Sequence, residues 1–108
     1  MQDRPRRKLL MLLVIAAATA VVHAADAADV ANGQQLARRW CASCHIVAPG
    51  QTGPTSEAPP FATIAAWKRF TAKKIAAFLL DPRPRMPNME LTRSETADLA
   101  AYIKSLRP

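Results

Sequence analysis

The sequence predicts an all-α fold, one small domain of three to five short helices joined by proline-containing loops. Three observations carry this expectation. Apolar residues recur at spacings of three and four near both ends of residues 29–107. The last of these stretches opens with the capping box Thr92-Arg93-Ser94-Glu95. No segment alternates apolar and polar residues as a half-buried strand would. A length of 108 residues suits one domain.

The first 24 residues read as an export signal rather than fold. Arg4, Arg6, Arg7 and Lys8 form a basic head, and Leu9 to Val22 follow without a charge. Small residues then appear at Ala24, Ala25, Ala27 and Ala28. A basic head, a short apolar run and a small-residue exit are the parts of a signal peptide. The apolar run of 14 residues falls short of the roughly 18 needed to cross a bilayer. We therefore expect a signal peptide over residues 1–24, with cleavage after 24 to 27, and a mature domain over residues 25–108. No stable membrane span remains after cleavage on this reading. The mature part keeps 11 of the 15 Lys and Arg and 7 of the 8 acids, so its formal charge is +4. That excess suits an acidic protein partner. No aromatic-interleaved basic tract points to nucleic acid.

The first mature helix is expected from about Asp29 to Ala42. Val30, Gly33, Ala37 and Trp40 share a face, Leu36 lies beside it, and Asp26 or Asp29 caps the start. Gly33 within that face costs about 1 kcal/mol relative to alanine and reads as a place where another helix comes close. Residues 46–60 are loop. A short helix covers Phe61 to Ala66, and another runs from about Thr71 to Leu80, with Ile75, Phe78 and Leu79 on its apolar side. Asp81-Pro82 ends it, because a residue before proline leaves the helical region. Pro82, Pro84 and Pro87 stiffen the loop that follows. After the capping box, Leu99, Tyr102, Ile103 and Leu106 form the apolar stripe of the final helix.

Cys41-Ala42-Ser43-Cys44-His45 is a C-x-x-C-H run, the attachment signature of a c-type haem. Two cysteines three apart on a helical turn reach the two vinyl groups on one porphyrin edge, and the next residue offers an imidazole to the iron. Export supports this reading, because such attachment takes place outside the cytoplasm. The competing chemistries fit less well. A thioredoxin-like dithiol needs a preceding strand, a structural zinc site needs four ligands, and a Cys41–Cys44 disulfide would close a loop too small to stabilise much. The sequence thus predicts one haem c, covalently held through Cys41 and Cys44, with His45 as an axial iron ligand.

The second axial ligand follows by elimination. His23 leaves with the signal, so His45 is the sole mature histidine, and of four methionines only Met86 and Met89 remain. A thioether ligand raises the reduction potential. Met86, held in Arg85-Met86-Pro87, is the favoured axial ligand. Met89 is the less favoured alternative and otherwise fills space.

These residues resemble the class I cytochrome c family of bacterial periplasms over about residues 29–107. The resemblance rests on Trp40 through His45, Ala58-Pro59-Pro60-Phe61, Arg85-Met86-Pro87, and Leu91-Thr92 through Tyr102-Ile103. It implies the cytochrome c fold, with N- and C-terminal helices crossing at a glycine that faces an aromatic; Gly33 and Tyr102 match that pair. It also implies a proline carbonyl that accepts a hydrogen bond from the axial histidine. Pro59 is the best match and Pro54 a second. Trp67 matches an aromatic near a haem propionate and reads equally as ordinary core.

The function expected is one-electron transfer, not enzymatic catalysis. The protein would shuttle electrons in the periplasm between redox partners such as a dehydrogenase and an oxidase or reductase. Lys73, Lys74, Arg83 and Arg85 are candidates for a docking rim. The alternatives are a haem c subunit of a dehydrogenase complex and catalysis or sensing at an open haem. A mature chain of 84 residues has a marginal core of its own, so the haem-free form is expected to be largely unfolded.

Overall fold

A computed structural model describes residues 27–53, 57–82 and 84–108. The expected signal peptide at residues 1–24 lies outside the described residues, as do Pro54 and Arg83. The described residues form four helices: α1 (Val30–Trp40), α2 (Phe61–Ala65), α3 (Ala72–Leu80) and α4 (Arg93–Ser105). No strand occurs among them, and no helix among them is long and apolar enough to cross a membrane.

Each helix starts where local chemistry dictates. Asp29 caps α1, its Oδ1 accepting from Asn32 N at 2.9 Å. Thr71 caps α3 by accepting from Lys74 N at 3.1 Å. The capping box of α4 is closed on both sides: Thr92 Oγ1 accepts from Glu95 N at 3.1 Å, and Glu95 Oε2 accepts from Thr92 N at 2.8 Å. Helix α3 stops at Asp81, ahead of Pro82. Helix α1 ends at Trp40, two residues before the expected Ala42, because the chain there tightens into the turn that carries the cysteines.

Helix α4 is the centre of the packing; α1, α2 and α3 all lie against it. The α1–α4 crossing is set by Gly33. A Cβ placed there would sit 2.1 Å from the Asp98 carbonyl oxygen and 2.9 Å from Tyr102 Cβ. The glycine thus lets one helix backbone rest on the other, and the Gly33–Tyr102 pairing is as expected. Asp98, buried on α4, accepts from Asp29 N at 2.7 Å and from Asn32 Nδ2 at 2.8 Å. A carboxylate at the N-terminal end of α1 also opposes the positive end of that helix's dipole.

The core gathers Ala37, Cys41, Val47, Phe61, Ile64, Ala65, Leu79, Leu99, Tyr102 and Ile103, with Leu36, Ile75, Met86 and Leu106 packed against it. Three residues assigned to apolar faces depart from expectation. Val30 and Trp40 are each 43% exposed and Phe78 is 40% exposed. Val30 and Trp40 occupy the terminal turns of α1. The Arg39 guanidinium lies over the Trp40 ring, 4.9 Å from its centroid.

Candidate functional site

The cysteine turn continues directly from α1. Cys41 N donates to Ala37 O at 2.9 Å, and Cys41 O then accepts from Cys44 N at 3.2 Å and His45 N at 2.9 Å. Cys41 to His45 therefore make one more helix-like turn, the arrangement expected of the two cysteines. Both carry thiols; Cys41 is buried and Cys44 exposed. Burial, reinforced by the neighbouring Cys44, pushes the Cys41 thiol up to about 11. It is thus a neutral S–H at physiological pH.

His45 is oriented by the loop before α2. Its Nδ1 lies 2.6 Å from Pro59 O. A carbonyl oxygen can only accept, so Nδ1 carries a proton, which leaves Nε2 as the nitrogen able to offer a lone pair to a metal. Of the two prolines considered, the partner is Pro59. The Phe61 ring packs on the imidazole, with centroids 5.3 Å apart and planes tilted by 53°. Phe61 in turn meets Tyr102 edge-on at 6.5 Å.

The backbone after His45 is held from three directions. Phe61 N donates to Ile46 O at 2.9 Å. Tyr102 Oη donates to Val47 O at 2.6 Å across 55 positions of sequence. Gln51 supplies the third hold: its Oε1 accepts from Val47 N at 2.8 Å, and its Nε2 donates to His45 O at 2.9 Å and to Ala42 O at 3.3 Å. The Gln51 contacts and the reach of the Tyr102 hydroxyl were not expected from the sequence. The available signal was Ala48-Pro49-Gly50. Proline followed by glycine marks a type II turn, and Gly50 has φ +78° with Gln51 N bonded to Ala48 O at 3.3 Å.

Met86 and Met89 both lie in the loop between α3 and α4, and both are half-buried. Met86 packs against the core. Met89 precedes Glu90, whose φ of +54° places it in the left-handed region. Asn88 Oδ1 holds that turn by accepting from Glu90 N at 2.9 Å. Trp67 is 47% exposed, which removes the ordinary-core reading. Lys73, Lys74 and Arg85 are exposed. Among the described residues no group of three or more His, Cys, Asp or Glu comes together to hold a metal ion.

Two thiols on one turn and an imidazole with its second nitrogen already bonded suit a haem of the c type, and this helical fold with that turn defines a small c-type cytochrome. Comparison with known proteins agrees. The chain belongs to the cytochrome c family whose model, described as cytochrome c oxidase, cbb3-type, subunit III, matches residues 28–103. It is 47% identical over 102 residues to a protein named cytochrome c-552 from Bradyrhizobium diazoefficiens, covering 94% of this chain and 95% of that one. No solved structure matches the chain. Haem-based electron transfer is the chemistry of this family.

Proposed function

We propose that this chain is an exported one-electron carrier, with one haem c bonded to Cys41 and Cys44 and ligated by His45 and Met86. When bound, the haem supplies a reversible ferric–ferrous step. The observation that carries the proposal is the 2.6 Å bond from His45 Nδ1–H to Pro59 O. It fixes the tautomer and the ring direction, and it raises the basicity of Nε2. The Cys41 and Cys44 thiols, one helical turn apart, would each add S–H across a vinyl group, giving a thioether with the proton on the neighbouring carbon. The packing of Met86 against the core favours it over Met89 as sixth ligand. With His45 and Met86 both holding the iron, the group would supply electron exchange and leave no site for a substrate. The basic head and apolar run of residues 4–22 support export to the periplasm. The exposed Lys73, Lys74 and Arg85 support docking to an acidic redox partner.

The test is a pyridine haemochrome assay with a reduced-minus-oxidised spectrum, on the wild type and on Met86→Ala and Met89→Ala. One haem c per chain is expected. The weak sulfur-to-iron band at the red end of the ferric spectrum should vanish only in Met86→Ala. Retention of that band in Met86→Ala would sink the assignment. A second reading, service as a subunit of an oxidase complex, is favoured by the description of the matched family. Co-migration with a haem-containing membrane complex on native gels would support it over a free carrier.

A further inference from the structure

We infer that Gln51 is a positioning residue for the axial histidine, acting through the backbone on either side of His45; this rests on the reading of His45 as iron ligand. The Gln51 amide makes three bonds, one as acceptor and two as donor, to Val47 N, His45 O and Ala42 O. Two carbonyls and one N–H surround it, so only an amide with its oxygen toward Val47 and its nitrogen toward the carbonyls satisfies all three. Its contacts span the motif turn and the first residues beyond it, and so bracket His45 on both sides. The imidazole itself is held at Nδ1 by Pro59 O. A ring held at one nitrogen keeps its plane only if the backbone carrying it is also held. Phe61 N and Tyr102 Oη hold the segment at Ile46 O and Val47 O. Gln51 is the only one of these groups that reaches His45's own carbonyl. Gly50 at φ +78° supplies the backbone reversal that aims the side chain there.

The chemistry separates glutamine from its nearest shape. A glutamate at this position keeps the acceptor for Val47 N but loses both donors, and it places a carboxylate against the carbonyls of His45 and Ala42. The effect of Gln51→Glu should therefore equal or exceed that of Gln51→Ala, although the side chain is nearly isosteric.

The experiment is proton NMR and potentiometry on the holoprotein for wild type, Gln51→Ala, Gln51→Glu and Thr92→Ala. The last removes the α4 cap and so controls for general destabilisation. The Gln51 variants should show exchange of the His45 Nδ1 proton accelerated about tenfold, the worth of one net hydrogen bond. They should also show a rearranged pattern of hyperfine-shifted haem methyl signals and a moved reduction potential, while Thr92→Ala stays at wild type in all three. Gln51→Glu carries the test if the alanine variant does not mature. Unchanged signals in both Gln51 variants, or an equal change in Thr92→Ala, would overturn the positioning role alone. Absence of hyperfine-shifted His45 ring signals in the wild type would overturn the ligand reading and this inference with it.

Discussion

Gly33 shows how a single atom decides the outcome at the residue scale. Alanine is the better helix former by about 1 kcal/mol, so propensity alone predicts that Gly33→Ala would stabilise α1. The clash dominates, because the new methyl would lie 2.1 Å from Asp98 O and 2.6 Å from Asp98 C, both backbone atoms of α4. A backbone cannot step aside as a flexible side chain can, so the helices must separate. We expect a net loss of about 1–3 kcal/mol, as for other overpacked sites, read as a lower urea midpoint for the holoprotein. A midpoint at or above wild type would show that the crossing is looser than these distances imply. Asp98 tests the same junction from its polar side. Its carboxylate takes two hydrogen bonds from the start of α1. In Asp98→Asn one of the two oxygens becomes an NH₂ group and the charge facing the α1 terminus is lost. A cost of about 1–2 kcal/mol follows, with Asp98→Ala costing more because both bonds go. Amide exchange should accelerate first at Asn32 and its neighbours in the opening turn of α1, and uniform acceleration along α1 would contradict a local role.

Among the elements, the termini were legible and the faces only partly so. A capping box is a local code, with both partners within four residues, and Thr92 and Glu95 close it as the sequence leads one to expect. Removing either partner should cost about 1 kcal/mol. The two losses should be less than additive in Thr92→Ala/Glu95→Ala, because the reciprocal bonds fail together. Additive losses in denaturation midpoints would mean the two bonds act independently. Trp40 illustrates what periodicity does not encode. Its spacing from Gly33 and Ala37 places it on the inner stripe, yet the ring is exposed and lies beneath Arg39. A helical stripe specifies a direction around the axis but not how far along the axis a partner extends. The candidate site divides the same way. The cysteines, His45 and the Pro59 contact follow from motif and resemblance. The hold on Val47 by Tyr102 spans 55 positions, and Gln51 acts only through a turn whose direction must be known first. Neither has a fixed spacing from the motif by which to find it.

Taken as a whole, the described residues bury only a handful of large apolar side chains, Phe61, Ile64, Leu79, Leu99, Tyr102 and Ile103, beside the small Ala37, Ala65 and Ala100. The bulkier apolar groups Trp40, Trp67, Phe78 and Leu80 are each at least 40% exposed. Fully burying one such side chain is worth about 1.5–3 kcal/mol, and these four contribute only part of that to the interior. A core of this size rarely yields more than about 3–5 kcal/mol by itself, and losing a few large contributors brings that close to zero. An apolar macrocycle bonded to the α1 turn and ligated from both sides would bind the folded chain in preference to the unfolded one, and so shift the balance toward the fold. The haem-free chain should accordingly lose most of its helical circular dichroism at 25 °C, and regain only part of it in a stabilising salt such as sulfate. The capping box and the Gly33 crossing remain encoded in that chain, so the residual signal should come mainly from α4, the longest of the four described helices. Full native helicity in a haem-free preparation would show that the side chains suffice, and that Gly33, Asp98 and the Tyr102–Val47 bond hold the four helices together without the cofactor.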